Sequence, residues 1–261
     1  MDKARPMPVL FIGHGSPMNA LPGNRFYDGW QALGRMLPRP LAIVCISAHW
    51  ETQGTRITSS PSPRTIHDFR GFPEALFAMR YPAPGDPLLA QSLVQRLQSA
   101  RVRLDPQRGL DHGVWCVLGA MYPEADIPVL QLSLDQHLSG SEHYALAQNM
   151  LFMRNEGILV MSSGNVVHNL RRFHQVDDES PAWVSRFRDE VNSRISARDH
   201  AGLCDYQRLS PDAETAVPTP EHYLPLLYAL ALQRDKDPVR IFNDHLLSTL
   251  SMTSLVIGRL T

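Results

Sequence analysis

The sequence predicts an α/β protein, a single domain over all 261 residues with a central sheet flanked by helices. Two observations carry the prediction. Short runs rich in Val, Ile and Leu alternate with longer segments of helical spacing, the pattern of strands and helices interleaved around one sheet. Neither of the two irregular stretches, residues 52–86 and 203–218, divides the chain into two self-sufficient apolar halves.

Taken in order, VLFIG at 9–13 reads as a first strand, followed by helical spacing over 27–36. A second strand is expected at 42–48. The Pro-, Ser-, Thr- and Gly-rich stretch 52–86 is too long for a plain connector and is expected to be a functional loop region. A helix over 87–99 opens on Pro87 behind Asp86, because proline is pre-organised for the first helical position and needs no donor there. Strands at 127–134 and 157–163 alternate with helices at 141–154 and 181–196. Thr219 and Pro220 open the last long helix, 220–233, and strands at 239–242 and 251–257 close the chain. The first four strands are apolar on both faces and belong in the middle of the sheet.

Composition narrows the partners. Hydrophobic residues at 43% and charged residues at 20% suffice for a substantial core. Lys plus Arg number 25 against 26 Asp plus Glu, so there is no net field to attract nucleic acid or an anionic membrane. A small molecule is the expected partner. No signal peptide and no run near the roughly 18–20 apolar residues of a membrane span are found, which predicts a cytoplasmic protein. Cys45, Cys116 and Cys204 form no CxxC pair, arguing against a disulfide framework or a thiolate zinc site. Cys45 and Cys116, set in apolar runs, read as small core residues.

The chemistry lies in the 11 histidines. His14 directly follows the first strand and His49 ends AIVCISAH, so both fall at the carboxyl edge of the sheet, where ligands collect in open α/β folds. His168 comes shortly after the strand GILVMSSG, with Gly164 and Asn165 suited to a turn into a helix beginning near Val166. His222 lies in the first turn behind Thr219 and Pro220, where the helix dipole disfavours imidazolium and a neutral, ligating ring is expected. His112, between Asp111 and Gly113, reads better as an acid or base than as a ligand, with the adjacent carboxylate available to orient it. A lone histidine near a strand end is ordinarily a hydrogen-bonded structural residue. Five at Gly- or Pro-marked turns form a candidate metal site. His137, His143, His174, His200 and His245 lack that punctuation and are expected to be solvated. His67, in TIHDFRGFP, either helps line an aromatic pocket or belongs to a surface loop packed through Phe69 and Phe72.

Other motifs are absent. There is no HExxH, no GxGxxG or GxxxxGK[ST], and no GxSxG. GHGSP places Ser16 in a turn but misses the nucleophile-elbow spacing.

In order along the chain, GHGSPMNAL, SAHWET, TIHDFRGFP, YPAPGDP, LDHGVW, SSGNVVHNL and TPEHYLPLLYA together resemble the 4,5-DOPA dioxygenase extradiol family, within the class III extradiol ring-cleavage dioxygenases. The match runs from about Pro8 to the C terminus. The resemblance implies a mixed central sheet with a metal pocket at its edge, His14, His49 and His222 as metal ligands, and His168 as a fourth ligand or a second catalytic histidine. It makes His112 the catalytic acid/base. Other members of the class use two histidines and one carboxylate; the late position here is His222, with Glu221 beside it. The implied reaction opens a catechol such as L-DOPA beside its diol with O2, giving a muconic semialdehyde. It implies Fe(II) for activity, because Zn(II), which imidazoles also bind, has no accessible redox state. Two alternatives stand beside this reading: a zinc hydrolase using metal-bound water, and a non-catalytic ligand-binding relative.

Overall fold

Alternate residues along the central strands feed two separate apolar clusters, one on each face of the sheet. The computed structural model describes residues 5–173 and 179–260. Leu10, Ile12, Ile43, Cys45 and Met161 pack with Trp30, Leu33 and Val117 on one face. Phe11, Val44, Ile46, Leu132 and Val160 pack with Leu93, Ala147, Phe187 and Leu227 on the other. The result is a three-layer helix–sheet–helix arrangement.

In chain order the elements are β1 (Val9–Gly13), α1 (Arg25–Met36), β2 (Ala42–Thr52), β3 (Arg56–Thr58), α2 (Glu74–Ala78), α3 (Pro87–Arg96), β4 (Arg103–Asp105), α4 (His112–Met121), β5 (Val129–Asp135), α5 (Gly140–Gln148), β6 (Ile158–Gly164), α6 (Ala182–Ala197), α7 (His200–Cys204), α8 (Ala213–Ala216), α9 (Leu224–Ala231), β7 (Val239–Phe242), β8 (Leu246–Leu247), β9 (Leu250–Ser251) and β10 (Ser254–Ile257). Among the described residues the main sheet has eight strands in the order β4-β3-β5-β2-β6-β1-β10-β7. Its centre, β5-β2-β6-β1, is parallel, and β10 and β7 add antiparallel to one side. The sheet is therefore mixed, and the four strands expected at its middle occupy the middle.

The connection from β1 to β2 passes through α1 on one face, whereas that from β5 to β6 passes through α5 on the other. Where connections diverge in this way, the loops beyond the strand carboxyl ends separate and leave a crevice. The ends of β1, β2 and β6 open into it.

Several expected boundaries shift. The helix expected over 141–154 stops at Gln148 and continues as a 3-10 segment, Leu151–Glu156. The expected helix 220–233 begins as a 3-10 turn, Pro220–His222, before α9. No helix starts near Val166; the segment after β6 stays irregular until the 3-10 turn Leu170–Arg172. α4 has no counterpart in the reading of the sequence. It is buried all round except at Gly119, so it lacks the polar stripe that betrays an amphipathic helix. Cys45 and Cys116 are buried free thiols. No described helix is long and apolar enough to cross a membrane.

Candidate active site

Each of the five selected histidines is placed by a local break in regular structure. The last residue of β1 must be glycine, because a Cβ on Gly13 would lie 2.5 Å from the Met252 carbonyl oxygen. The chain then turns through Gly15 at φ +60°, a conformation natural to glycine. His14 is thereby left at the crevice, its N–H donating to Gly164 O at 3.2 Å. β2 does not stop at residue 48 as expected but runs to Thr52, so His49 lies within the strand; its pairing with β5 slips between Ile46 and Glu51, and that irregularity turns His49 toward the crevice. His112 is the first residue of α4. His222 sits against the end of β6: Asn165 N–H donates to His222 O at 2.8 Å, and a Cβ on Gly164 would approach that oxygen to 2.2 Å. His168 is tied down by its N–H, which donates to Ala216 O at 3.0 Å.

All five rings meet. His14 Nε2 lies 3.0 Å from His49 Nε2, and the His49 and His112 ring centres are 4.0 Å apart. His222 is 5.5 Å from His14 and 5.0 Å from His49, centre to centre. His168 stacks flat on His222 at 3.5 Å with an interplanar angle of 5°. Two groups have ligand atoms mutually within 4.8 Å: His14, His49 and His112, and His168, Glu221 and His222.

Electrostatics keep these rings available as ligands. Burial, reinforced by neighbouring imidazoles, holds His14 and His49 well below the ordinary histidine range. His168 is pushed down to about 3 by the same causes. His222 is lowered by burial in spite of the opposing pull of Glu221. Tautomers can be read for two of them. Ser163 Oγ donates to Gly113 O at 2.5 Å, so at 3.0 Å it accepts from His14 Nδ1–H and leaves the lone pair on His14 Nε2. His222 Nδ1–H donates to Glu221 Oε1 at 3.1 Å. Its Nε2 is buried with no hydrogen-bond partner among the described residues, an expensive arrangement unless a ligand completes it. Neutral imidazoles converging on one another, with an orphaned acceptor among them, fit a bound divalent cation.

The orienting carboxylate differs from the one expected. Asp111 is fully buried and receives Ser47, Gln131 and Arg108 instead of touching the His112 ring. Asp68 takes that place: its Oδ1 accepts from His112 N–H at 3.0 Å and from His112 Nδ1 at 2.9 Å, while Oδ2 lies 3.4 Å from His49 Nδ1. Burial pushes the Asp68 carboxyl up, and the bonds from His112 together outweigh it, leaving the group lowered. Asp68 went unselected in the sequence, although it stands inside the TIHDFRGFP stretch.

Above the rings opens a cavity of about 860 Å³, walled by Phe69, Arg70, Phe72, Leu170, Phe173 and Leu250. The loop region expected to be functional thus supplies one wall. His67 is not part of it; the ring lies 3.0 Å from Met79 O and packs on Trp115, Phe69 and Phe77. Ser16 caps the short 3-10 turn Pro17–Ala20.

Of the histidines expected to be solvated, His137 and His245 are exposed. His143 is a correction: it is fully buried, with Nδ1 2.9 Å from the Tyr228 hydroxyl. His200 is half-buried between Tyr144 and Gln233. His174 lies outside the described residues.

Fold and site together define a class: an α/β protein with a histidine-lined pocket, fit for a divalent cation, over the carboxyl ends of parallel strands. Residues 9–255 match the family of the catalytic LigB subunit of aromatic ring-opening dioxygenase, and the chain belongs to that family. It is 46% identical over 259 residues to a 4,5-DOPA dioxygenase extradiol of Escherichia coli (strain K12), covering 97% of this chain and 95% of that one. To the 4,5-DOPA dioxygenase extradiol of Beta vulgaris it is 35% identical, over 90% of each chain. The crystal structure of an uncharacterized protein from Escherichia coli K12 superposes with a TM-score of 0.85 at 41% identity, covering 97% of this chain and 100% of that one. The chain is an extradiol ring-cleaving dioxygenase, and it is metal-dependent, as that family is.

Proposed function

We propose that the substrate is a catechol carrying a short carboxylate-bearing side chain, as L-DOPA does, and that ring opening beside the diol with O2 gives a muconic semialdehyde. The carrying observation is the convergence of His14 Nε2 and His49 Nε2 at 3.0 Å beside the buried, unpartnered His222 Nε2. These three side chains hold the metal in this reading. Fe(II) held by these residues would supply the redox chemistry that couples a catechol to O2, which Zn(II) in the same imidazoles would not.

The chain's own residues supply the proton chemistry. His112, fixed through Nδ1 on Asp68, presents Nε2 to take a proton from a catechol hydroxyl. His168, stacked on His222 and held neutral, is a second proton carrier on the Glu221 side of the pocket. Phe69 and Phe72 line the cavity and give an aromatic substrate apolar rings to pack against. Arg70 is the one Lys or Arg lining the cavity among the described residues, which favours an anionic group on the substrate's side chain.

The test loads metal-free protein anaerobically with Fe(II), mixes it with L-DOPA and a panel of catechols in air, and follows O2 uptake and the yellow ring-opened product. Uptake matched to product supports the reading. No uptake across the panel, with ester hydrolysis by the zinc form, overturns it.

A further inference from the structure

We propose that Asp68 is a positioning residue that fixes the tautomers of two histidines at once, holding His49 as a metal ligand and His112 as a base through a single carboxylate. The inference rests on the reading of His49 as a ligand.

The loop bearing Asp68 is pinned before the site is reached. Ile66 N–H donates to Leu110 O at 2.7 Å, Leu110 N–H to Arg64 O at 2.8 Å, and the Trp115 indole to Ile66 O at 2.8 Å. Asp68, 44 residues from His112 in sequence, is thereby set over the start of α4. Its side chain is only 21% exposed, and an ionised carboxylate can only accept. Oδ1 accepts the His112 backbone N–H and Nδ1–H, so the proton of a neutral His112 resides on Nδ1.

His49 faces a choice. Its single proton can sit on Nε2 and point at His14 Nε2, 3.0 Å away, or on Nδ1, the nitrogen that lies 3.4 Å from Asp68 Oδ2. The first choice leaves a lone pair facing a carboxylate oxygen. The second puts the positive end of the N–H dipole at ion-pair distance from the carboxylate, an attraction where the first has a repulsion. With the proton on Nδ1, the Nε2 lone pairs of His49 and His14 face each other across a gap that a cation satisfies. The same carboxylate thus prepares the ligand and aims the base, and orienting partners of this kind govern metal affinity by about 10–100-fold.

Asp68→Asn separates this from a general packing role. With amide oxygen retained toward His112, the amide N–H₂ replaces Oδ2 and faces His49 Nδ1. A donor there demands a lone pair on Nδ1, so the His49 proton moves to Nε2 and the ligand atom is blocked. Long-range ¹H–¹⁵N imidazole spectra of the metal-free full chain are expected to show Nδ1–H for both rings in the wild type. In Asp68→Asn, His112 keeps its tautomer and His49 changes to Nε2–H. Zn²⁺ affinity, measured by competition with a chromophoric chelator, is expected to fall about 10–100-fold with the circular dichroism spectrum unchanged. An Nε2–H tautomer for His49 in the wild type overturns the proposal without any variant needing to fold. So does an Asp68→Asn protein whose His49 tautomer and zinc affinity match the wild type. Neither readout involves a substrate, so failure of the catechol assay is distinguishable from failure here. Wild-type protein that binds no divalent metal would instead sink the metal-site reading and this role with it.

Discussion

His112 and His222 make opposite demands on a substitution, although their rings share one pocket. Distance alone groups His112 with His14 and His49 as three possible ligands, yet its Nδ1 is committed to Asp68 and it is read as the base. His112→Ala is therefore expected to retain one metal per chain, by elemental analysis, while kcat drops by about 10²–10⁴-fold. Loss of the metal in that variant would make His112 a ligand instead. His222→Ala removes the buried, unpartnered Nε2 and is expected to lose the metal outright. Arg70 is exposed, where an ion pair contributes about 1 kcal/mol or less. Arg70→Ala should accordingly raise KM about five-fold for catechols bearing a carboxylate, with unsubstituted catechol unaffected. An equal change for both substrates would exclude Arg70 from recognition.

At the scale of elements, the site depends on two strand ends approaching neighbouring backbone more closely than any side chain permits. A methyl group on Gly164 would collide with the carbonyl of His222 itself. Gly164→Ala is expected to destabilise the fold by about 1–3 kcal/mol, the usual cost of overpacking, and to weaken metal binding by displacing His222. Denaturant midpoints and metal stoichiometry measure the two effects; a variant with wild-type values for both would show that β6 and the Pro220–His222 turn are not rigidly coupled. The elements that escaped sequence reading share a physical cause. α4, buried on nearly every side, has no polar stripe, and β3 and β4 are three residues each, too short for an alternating pattern to register. The expected helix after β6 failed for a different reason: Asn165 spends its side chain on Gly15 N–H and Ser251 O, bridging loops instead of opening a helix.

Across the whole molecule, burial holds His14, His49, His143, His168 and His222 below the ordinary histidine range. In the unfolded chain each takes up a proton near pH 6.5. Between that value and the lower folded values the unfolded state binds more protons, so stability falls as pH falls. His143, lowered to about 4 and fully buried, alone accounts for a loss of about 1.4 kcal/mol between pH 7.5 and 5.5. The metal-free protein is therefore expected to show a clearly lower urea midpoint at pH 5.5 than at pH 7.5. An unchanged midpoint would mean that these rings are protonated in the folded state.

Read alone, the sequence determined the centre of the sheet and the histidines at its carboxyl edge. Both are local properties: uninterrupted apolar runs mark strands covered on two faces, and Gly13, Gly15, Gly113 and Pro220 mark the turns that carry His14, His112 and His222 out of the core, whereas His49 leaves from within β2. Tertiary structure alone decided which groups serve those histidines. Asp68 and not the adjacent Asp111 orients His112, Ser163 sets the tautomer of His14, and His143 is drawn into the core by Tyr228. Such partners lie tens of residues apart in the chain and leave no periodic or local signature. The crevice partners become neighbours only when the segments around the ends of β1, β2 and β6 meet, and His143 reaches Tyr228 only where α5 packs on α9.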